Sequence, residues 1–163
     1  MAMAEEKEMA TIVVFSGELD KALAAFNIAT TAAAMGIEVT MFFTFWGLSV
    51  VTREKTGAGD RNLLQKMMGV MSKSGARRLK LSHMNMLGGG KAAMKKLMEQ
   101  YNMPSLERMI SMSKELGVHF LACTTSMALM GLDEKDFIPE VEDFVGAATY
   151  VERASRSKIN LFI

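Results

Sequence analysis

The chain predicts an α/β domain of three layers, α/β/α, around a mostly parallel sheet of about five strands. Three observations lead there. Short runs rich in β-branched and aromatic residues alternate with longer stretches whose apolar residues recur at helical spacing. The first two strand-like runs stand one helix apart, as in a βαβ unit, so they should run parallel with a right-handed crossover. The length, 163 residues, suits one domain with a sizeable core. That domain is read as residues 10–163, with 1–9 as a flexible lead-in.

The elements follow in order. "ATIVVFSG", Ala10 to Gly17, reads as a short buried strand closed by Ser16 and Gly17. "ELDKALAAFNIATTAAAMG" reads as a helix. Leu19, Leu23, Phe26, Thr30 and Ala33 share one face, Ser16 is the expected cap, Glu18 and Asp20 suit the first turn and Gly36 the stop. "IEVTMFFTF" is the second strand, "WGLSVVTRE" a short helix and "KTGAGDRN" a glycine-rich loop. "NLLQKMMGVMS" fits a short helix, and "ARRLKLSHMNM" either a third strand or an irregular connection. "GGGKAAMKKLMEQYN" is helical after its glycines. Pro104 fits the first turn of the next helix, "SLERMISMSKELG", which Gly117 ends. "VHFLAC" is a buried strand, "TTSMALMG" a short helix and "DEKDFIPE" a polar connection. "FVGAATYVERASRSK" reads as a helix and "INLFI" as a final strand.

Composition excludes several classes of function. A net charge of +1 gives no field toward nucleic acid, and the sparse aromatics are not interleaved with basic residues as a base-stacking surface needs. No run reaches the ~18–20 apolar residues of a membrane span. The acidic start, "MAMAEEKEMA", is unlike a secretion signal. One cysteine forms no internal disulfide, so a reducing, cytoplasmic setting is expected. The 17 methionines raise the question of a soft metal. They recur at helical spacing without a compact ligand cluster, which favours packing, and no metal site is expected.

Functional groups of parallel sheets gather beyond the carboxyl ends of the strands. That rule selects Ser16-Gly17, Phe45-Trp46-Gly47 and Cys123-Thr124. Cys123 is the one soft nucleophile among them. At a helix start it meets unpaired N–H groups that favour thiolate, the reactive form, and Thr124, Thr125 and Ser126 add hydroxyls. The competing reading is a buried cysteine that packs as a small hydrophobe. Other site types fail. Gly88-Gly89-Gly90-Lys91 lacks the spacing of a P-loop, and Ala92 stands where that motif needs Ser or Thr. "GAGDRN" lacks the third glycine of a dinucleotide fingerprint. His119 and Cys123 lie about 13 Å apart on one extended strand, too far to share a metal. His83 has no partner in view. There is no C-x-x-C, and Leu116 occupies the position of the proline in a one-cysteine peroxidase motif.

"IVVFSGELDKALAAFNIATTAAAMGIEVTMFFTFWGL", "KLSHMNMLGGGKAAMKKLM", "PSLERMISMSKELGV" and above all "ACTTSMALMGL" resemble, in order and spacing, the DsrE/DsrF/DsrH-like family. The likeness is greatest to its longer DsrE-like members, which carry sulfurtransferase or peroxiredoxin-family labels. It covers the chain from about Ala10 onward. It implies a Rossmann-like domain, a homo- or hetero-oligomer, and a cysteine at the end of a central strand that carries sulfur as a persulfide. Cys123 occupies that place. Thr124 and Ser126 belong to the same motif, Trp46 and Gly47 match a motif at the end of the second strand, and Met84-Asn85-Met86 match another of no derived role. The peroxiredoxin label finds no support in the residues. Some relatives carry membrane segments or fused domains, and some lack the cysteine.

The expectation is therefore a sulfur carrier or sulfurtransferase, relaying sulfane sulfur through Cys123 between proteins or low-molecular-weight thiols, without a bound cofactor. A homo-oligomer is expected from the resemblance, since an oligomer interface would shield a labile persulfide, and with one cysteine per chain the resolving thiol comes in trans. Two rivals stand beside it. One is a non-catalytic assembly module of a sulfur-relay complex. The other is a binder of a small anionic ligand, with Gly88 to Lys91 as its best feature.

Overall fold

A computed structural model describes residues 8–54, 75–83 and 89–163. Strand β1 (Met9–Val14), helix α1 (Leu19–Ala34) and strand β2 (Glu38–Phe43) form the expected βαβ unit, with β1 and β2 parallel from Met9↔Glu38 to Val14↔Phe43. β1 is mostly β-branched, β2 is mostly apolar after Glu38, and both are buried beyond their first residue, as a sheet covered on both faces requires. Alanines at 22, 25, 29 and 32 are buried, so the backbone of α1 approaches the sheet closely, and Phe26 fills the remaining space. Gly36 and Gly117 adopt φ of +86° and +80° just past α1 and the helix before β3, as expected of helix stops.

After β2 the chain makes a 3-10 turn, Phe45–Val50. A second short 3-10 turn, Ala76–Arg78, precedes Lys80, which makes only an isolated parallel bridge to Glu18. The described part of "ARRLKLSHMNM" is thus an irregular connection rather than a strand. The readings of "KTGAGDRN" and "NLLQKMMGVMS", and the Met84-Asn85-Met86 motif, lie outside the described residues. Helix α2 (Gly89–Gln100) and helix α3 (Leu106–Glu115) follow, then strand β3 (His119–Cys123) and helix α4 (Thr124–Met130). A 3-10 turn at Glu134–Asp136 leads to strand β4 (Asp143–Val145), helix α5 (Ala147–Ser155) and strand β5 (Ile159–Phe162).

Three local readings are corrected. Ser16 does not cap α1: Glu18 occupies the cap position, while Ser16 Oγ accepts from the Glu18 N–H and donates to its carboxylate. Pro104 stands before α3 rather than in its first turn, because Ser105 caps that helix through Arg108 N–H. Phe144 and Val145 form a strand and not the start of α5.

The sheet has the order β4-β3-β2-β1-β5, with every pair parallel. This is the expected mostly parallel sheet of five strands between helical layers. On one face Ile12, Val14, Met41, Phe43, Phe120 and Ala122 join the main core with α1 and α3. Phe26, Phe43 and Phe120 meet there with centroids 5.5–6.2 Å apart. On the other face Val13, Phe42, Leu121 and Cys123 form a smaller cluster with Val145 and Tyr150. Tyr150 of α5 stacks on Phe42 at 5.0 Å, so α5 closes that side. No described helix is long and apolar enough to cross a membrane.

Candidate functional site around Cys123

The fold places Cys123 at the carboxyl end of β3, an interior strand between β2 and β4, with its side chain on the α5 face. The residue is 6% exposed. It is also the N-cap of α4. At seven residues, α4 is too short for its dipole to carry much of the effect, which therefore comes from individual donors near the sulfur.

Those donors act against burial. Desolvation by itself raises the Cys123 thiol pKa; the N–H and hydroxyl of Ser126, the hydroxyl of Thr44 and the N–H of Thr125 outweigh it, and the thiol lies below its ordinary value. The sulfur makes no formed cap hydrogen bond in the resting structure. These donors come from residues beside the sulfur, and such contacts tighten as charge develops. The physical result is a partly hidden thiol biased toward thiolate.

Thr44 escaped the sequence reading. It follows β2 directly, and since Phe43 pairs with Ala122 it stands level with Cys123. Its Oγ1 lies 2.8 Å from Ser126 Oγ across 82 residues of chain, with both residues buried. The motif that marks Trp46 and Gly47 does not include the threonine two places earlier, and a β-branched residue there reads as strand.

The expected neighbours separate into three groups. Ser126 is buried beside the thiol and acts through both its N–H and its hydroxyl. Thr125 is exposed and acts through its backbone N–H; Thr124 is exposed as well. Trp46 and Gly47 lie on the 3-10 turn that packs against α4. The Trp46 residue is 38% exposed, and its carbonyl accepts from Ser49 Oγ. Gly47 is buried against β1: its N–H donates to the Phe15 carbonyl at 2.7 Å. Its contribution is to seat the turn from which Thr44 reaches the sulfur.

The other candidates lie elsewhere. His119 stands at the opposite end of β3, where its Nδ1 is 2.9 Å from Glu142, which also pairs with Lys114. Burial raises the Glu142 pKa, but hydrogen bonds from Lys114 and His119 overcome it and hold the carboxyl below its usual range. A cleft of about 410 Å3 opens there, with Glu38, His119, Arg153 and Arg156 in its wall. Gly88 falls outside the described residues, Gly89, Gly90 and Lys91 open α2, and Lys91 Nζ donates to the Arg77 carbonyl. His83 is exposed. Among the described residues no three His, Cys, Asp or Glu side chains come together to hold a metal ion.

Comparison with known proteins agrees with this architecture. A family model described as DsrE/DsrF/DrsH-like matches residues 6–162. The chain is 42% identical over 161 residues to the uncharacterized protein YrkE of Bacillus subtilis (strain 168), covering 99% of this chain and all of that one. It is 35% identical over 168 residues to the sulfur carrier protein DsrE2 of Allochromatium vinosum, covering 98% and 99% of the two chains. Two solved structures share the fold at a TM-score of 0.54: the protein of unknown function MTH1491 from Methanobacterium thermoautotrophicum, at 13% identity, and the ychN protein from E. coli, at 8%. Each alignment covers 96% of this chain, and 100% and 99% of the respective structures. From the family match over nearly its whole length, the chain belongs to the DsrE/DsrF/DrsH-like family.

Proposed function

We propose that this protein is a sulfur carrier that holds sulfane sulfur as a persulfide on Cys123. The observation that carries the reading is the setting of its one cysteine: a strand-end thiol whose pKa is lowered by hydroxyl and N–H donors despite burial. The likeness to a sulfur carrier over 98% of the chain supports it.

In the loading step the Cys123 thiolate attacks the outer sulfur of a donor R–S–SH. The donor S–S bond breaks, RS⁻ leaves, and Cys123–S–SH forms. In the unloading step an acceptor thiolate R′S⁻ attacks the same outer sulfur, taking R′S–SH and returning Cys123 as thiolate. Charge and oxidation state balance in each step, so the exchange requires no redox cofactor. Donor and acceptor are proteins or small thiols. With one cysteine per chain, the second thiol of each exchange comes in trans. The working form in this reading is a homo-oligomer in the cytoplasm.

The burial of Cys123 within an apolar cluster favours a second reading, a non-catalytic assembly subunit in which the thiol only packs. Intact-protein mass spectrometry separates the two. After incubation with polysulfide or glutathione persulfide, a carrier gains about 32 Da per sulfur, removed by reductant and absent from Cys123→Ser. If the protein takes up no sulfur and Cys123 resists alkylation, the assembly reading stands instead.

A further inference from the structure

We infer that Thr44 and Ser126 serve the Cys123 sulfur as a single shared proton donor, with Thr44 a positioning residue of the site. This rests on the sulfur-carrier reading for its purpose, though not for its test. The argument is a count of protons. Two hydroxyls carry two protons. The 2.8 Å contact between Thr44 Oγ1 and Ser126 Oγ consumes one of them, whichever oxygen donates. One proton remains to point at sulfur. At 9% and 2% exposure the residues leave little room for water to supply another. The pair therefore forms a chain, O–H to O–H to sulfur, in which each bond polarises the next.

The backbone holds Thr44 for this purpose. Its N–H donates to the Val14 carbonyl at 3.1 Å, which ties it to β1. The next residue, Phe45, takes φ of +47°, a left-handed conformation rare for a bulky side chain, and so turns the chain sharply after Thr44. Ser126 arrives from the other side, on the first turn of α4. Thr44, just beyond β2, and Ser126, on the helix just beyond β3, thus bring their hydroxyls together at the strand end that carries Cys123. In the exchange chemistry above, the S–S bond breaks on unloading and its electron pair collects on Cys123 Sγ. A hydroxyl chain that turns its free proton to that atom stabilises the departing thiolate. Loading regenerates no such charge on Sγ, so the pair assists release more than uptake.

The test is the alkylation rate of Cys123 by iodoacetamide at fixed neutral pH, in the full chain without any sulfur donor. It compares wild type with Thr44→Val, Ser126→Ala, the double variant and Thr44→Ser. A shared proton predicts small losses in the single variants, because the surviving hydroxyl turns its own proton to sulfur. The double variant loses about tenfold or more, beyond the product of the single effects. Thr44→Ser keeps the wild-type rate. Two independent donors would instead multiply, and a lone donor would make one single variant equal to the double; either result overturns the proposal. Where the double variant does not fold, the single variants decide: a loss of about tenfold or more in either one overturns the proposal. Sulfur loading is read separately by mass, so a reactive thiol that accepts no sulfur refutes the carrier reading and leaves the hydroxyl pair standing.

Discussion

Gly47 and Val14 meet more closely than any side chain would permit: a β-carbon at Gly47 would lie 1.9 Å from the Val14 carbonyl oxygen. The same oxygen accepts the Thr44 N–H. Gly47→Ala must push the 3-10 turn off β1 and pull Thr44 with it. A loss of about 2–3 kcal/mol in denaturant unfolding is expected, from backbone displacement in a packed core. Cys123 alkylation should slow in the same variant. An alanine that leaves both unchanged would show that the turn is not seated as described.

The reactivity of Cys123 should have a characteristic pH profile. Because the folded thiol pKa lies below its ordinary value, the alkylation rate should rise with pH to half its maximum earlier than for a free cysteine peptide. The sign for stability follows from linkage. A depressed folded pKa contributes stability that is fully present above the unfolded thiol value and is lost as pH falls through the folded one. Cys123→Ser should abolish that alkaline component of the unfolding free energy. A half-rise at or above the peptide value would remove the thiolate-favouring site.

A second pH effect belongs to the far end of β3. Glu142 is held below the usual carboxylate range after hydrogen bonds from Lys114 and His119 offset its burial. Its contribution is complete above the unfolded carboxylate pKa and disappears as pH drops through the lower folded value. Glu142→Gln should flatten that acid limb in thermal melts. The change at neutral pH should be under about 1 kcal/mol, because the side chain is more than a third exposed and screened by water. An unaltered acid limb would mean that the cluster does not hold α3, β3 and the approach to β4 together.

Phe120 ties the thiol-bearing strand to the main core. It is fully buried and packs edge-on against Phe26 at 5.6 Å and Phe43 at 5.5 Å. Phe120→Ala should cost about 3–5 kcal/mol, from lost transfer energy and the cavity left behind. The midpoint of a urea unfolding curve measures it. A cost below about 1 kcal/mol would mean that the three rings do not form a packed unit.

Much of the fold is legible in local sequence because its signals are local. The β-branched runs at Ala10 and Ile37, the alanine-rich face of α1, the stops at Gly36 and Gly117, and the change from "HFLAC" to "TTSMALM" are each decided by neighbouring residues. The position of Cys123 at a strand end follows from the same reasoning. Strand β4 was not legible. Phe144 and Val145 suit a strand, but three residues, Asp143–Val145, are too few to show a period and run straight into the pattern of α5; they become a strand because β3 offers an edge to pair with.

By itself, the sequence determined the alternation of elements, the α/β class and the single cysteine on which the proposed sulfur carriage rests. Tertiary structure alone decided the strand order, the face on which the thiol lies, the 1.9 Å clearance that demands glycine at 47, and the meeting of Thr44 with Ser126. The physical reason is range. Propensity and capping act within a turn or a strand, whereas the character of the thiol depends on donors brought together from β2 and α4. Chain neighbours supply Ser126; only the pairing of β2 with β3 supplies Thr44.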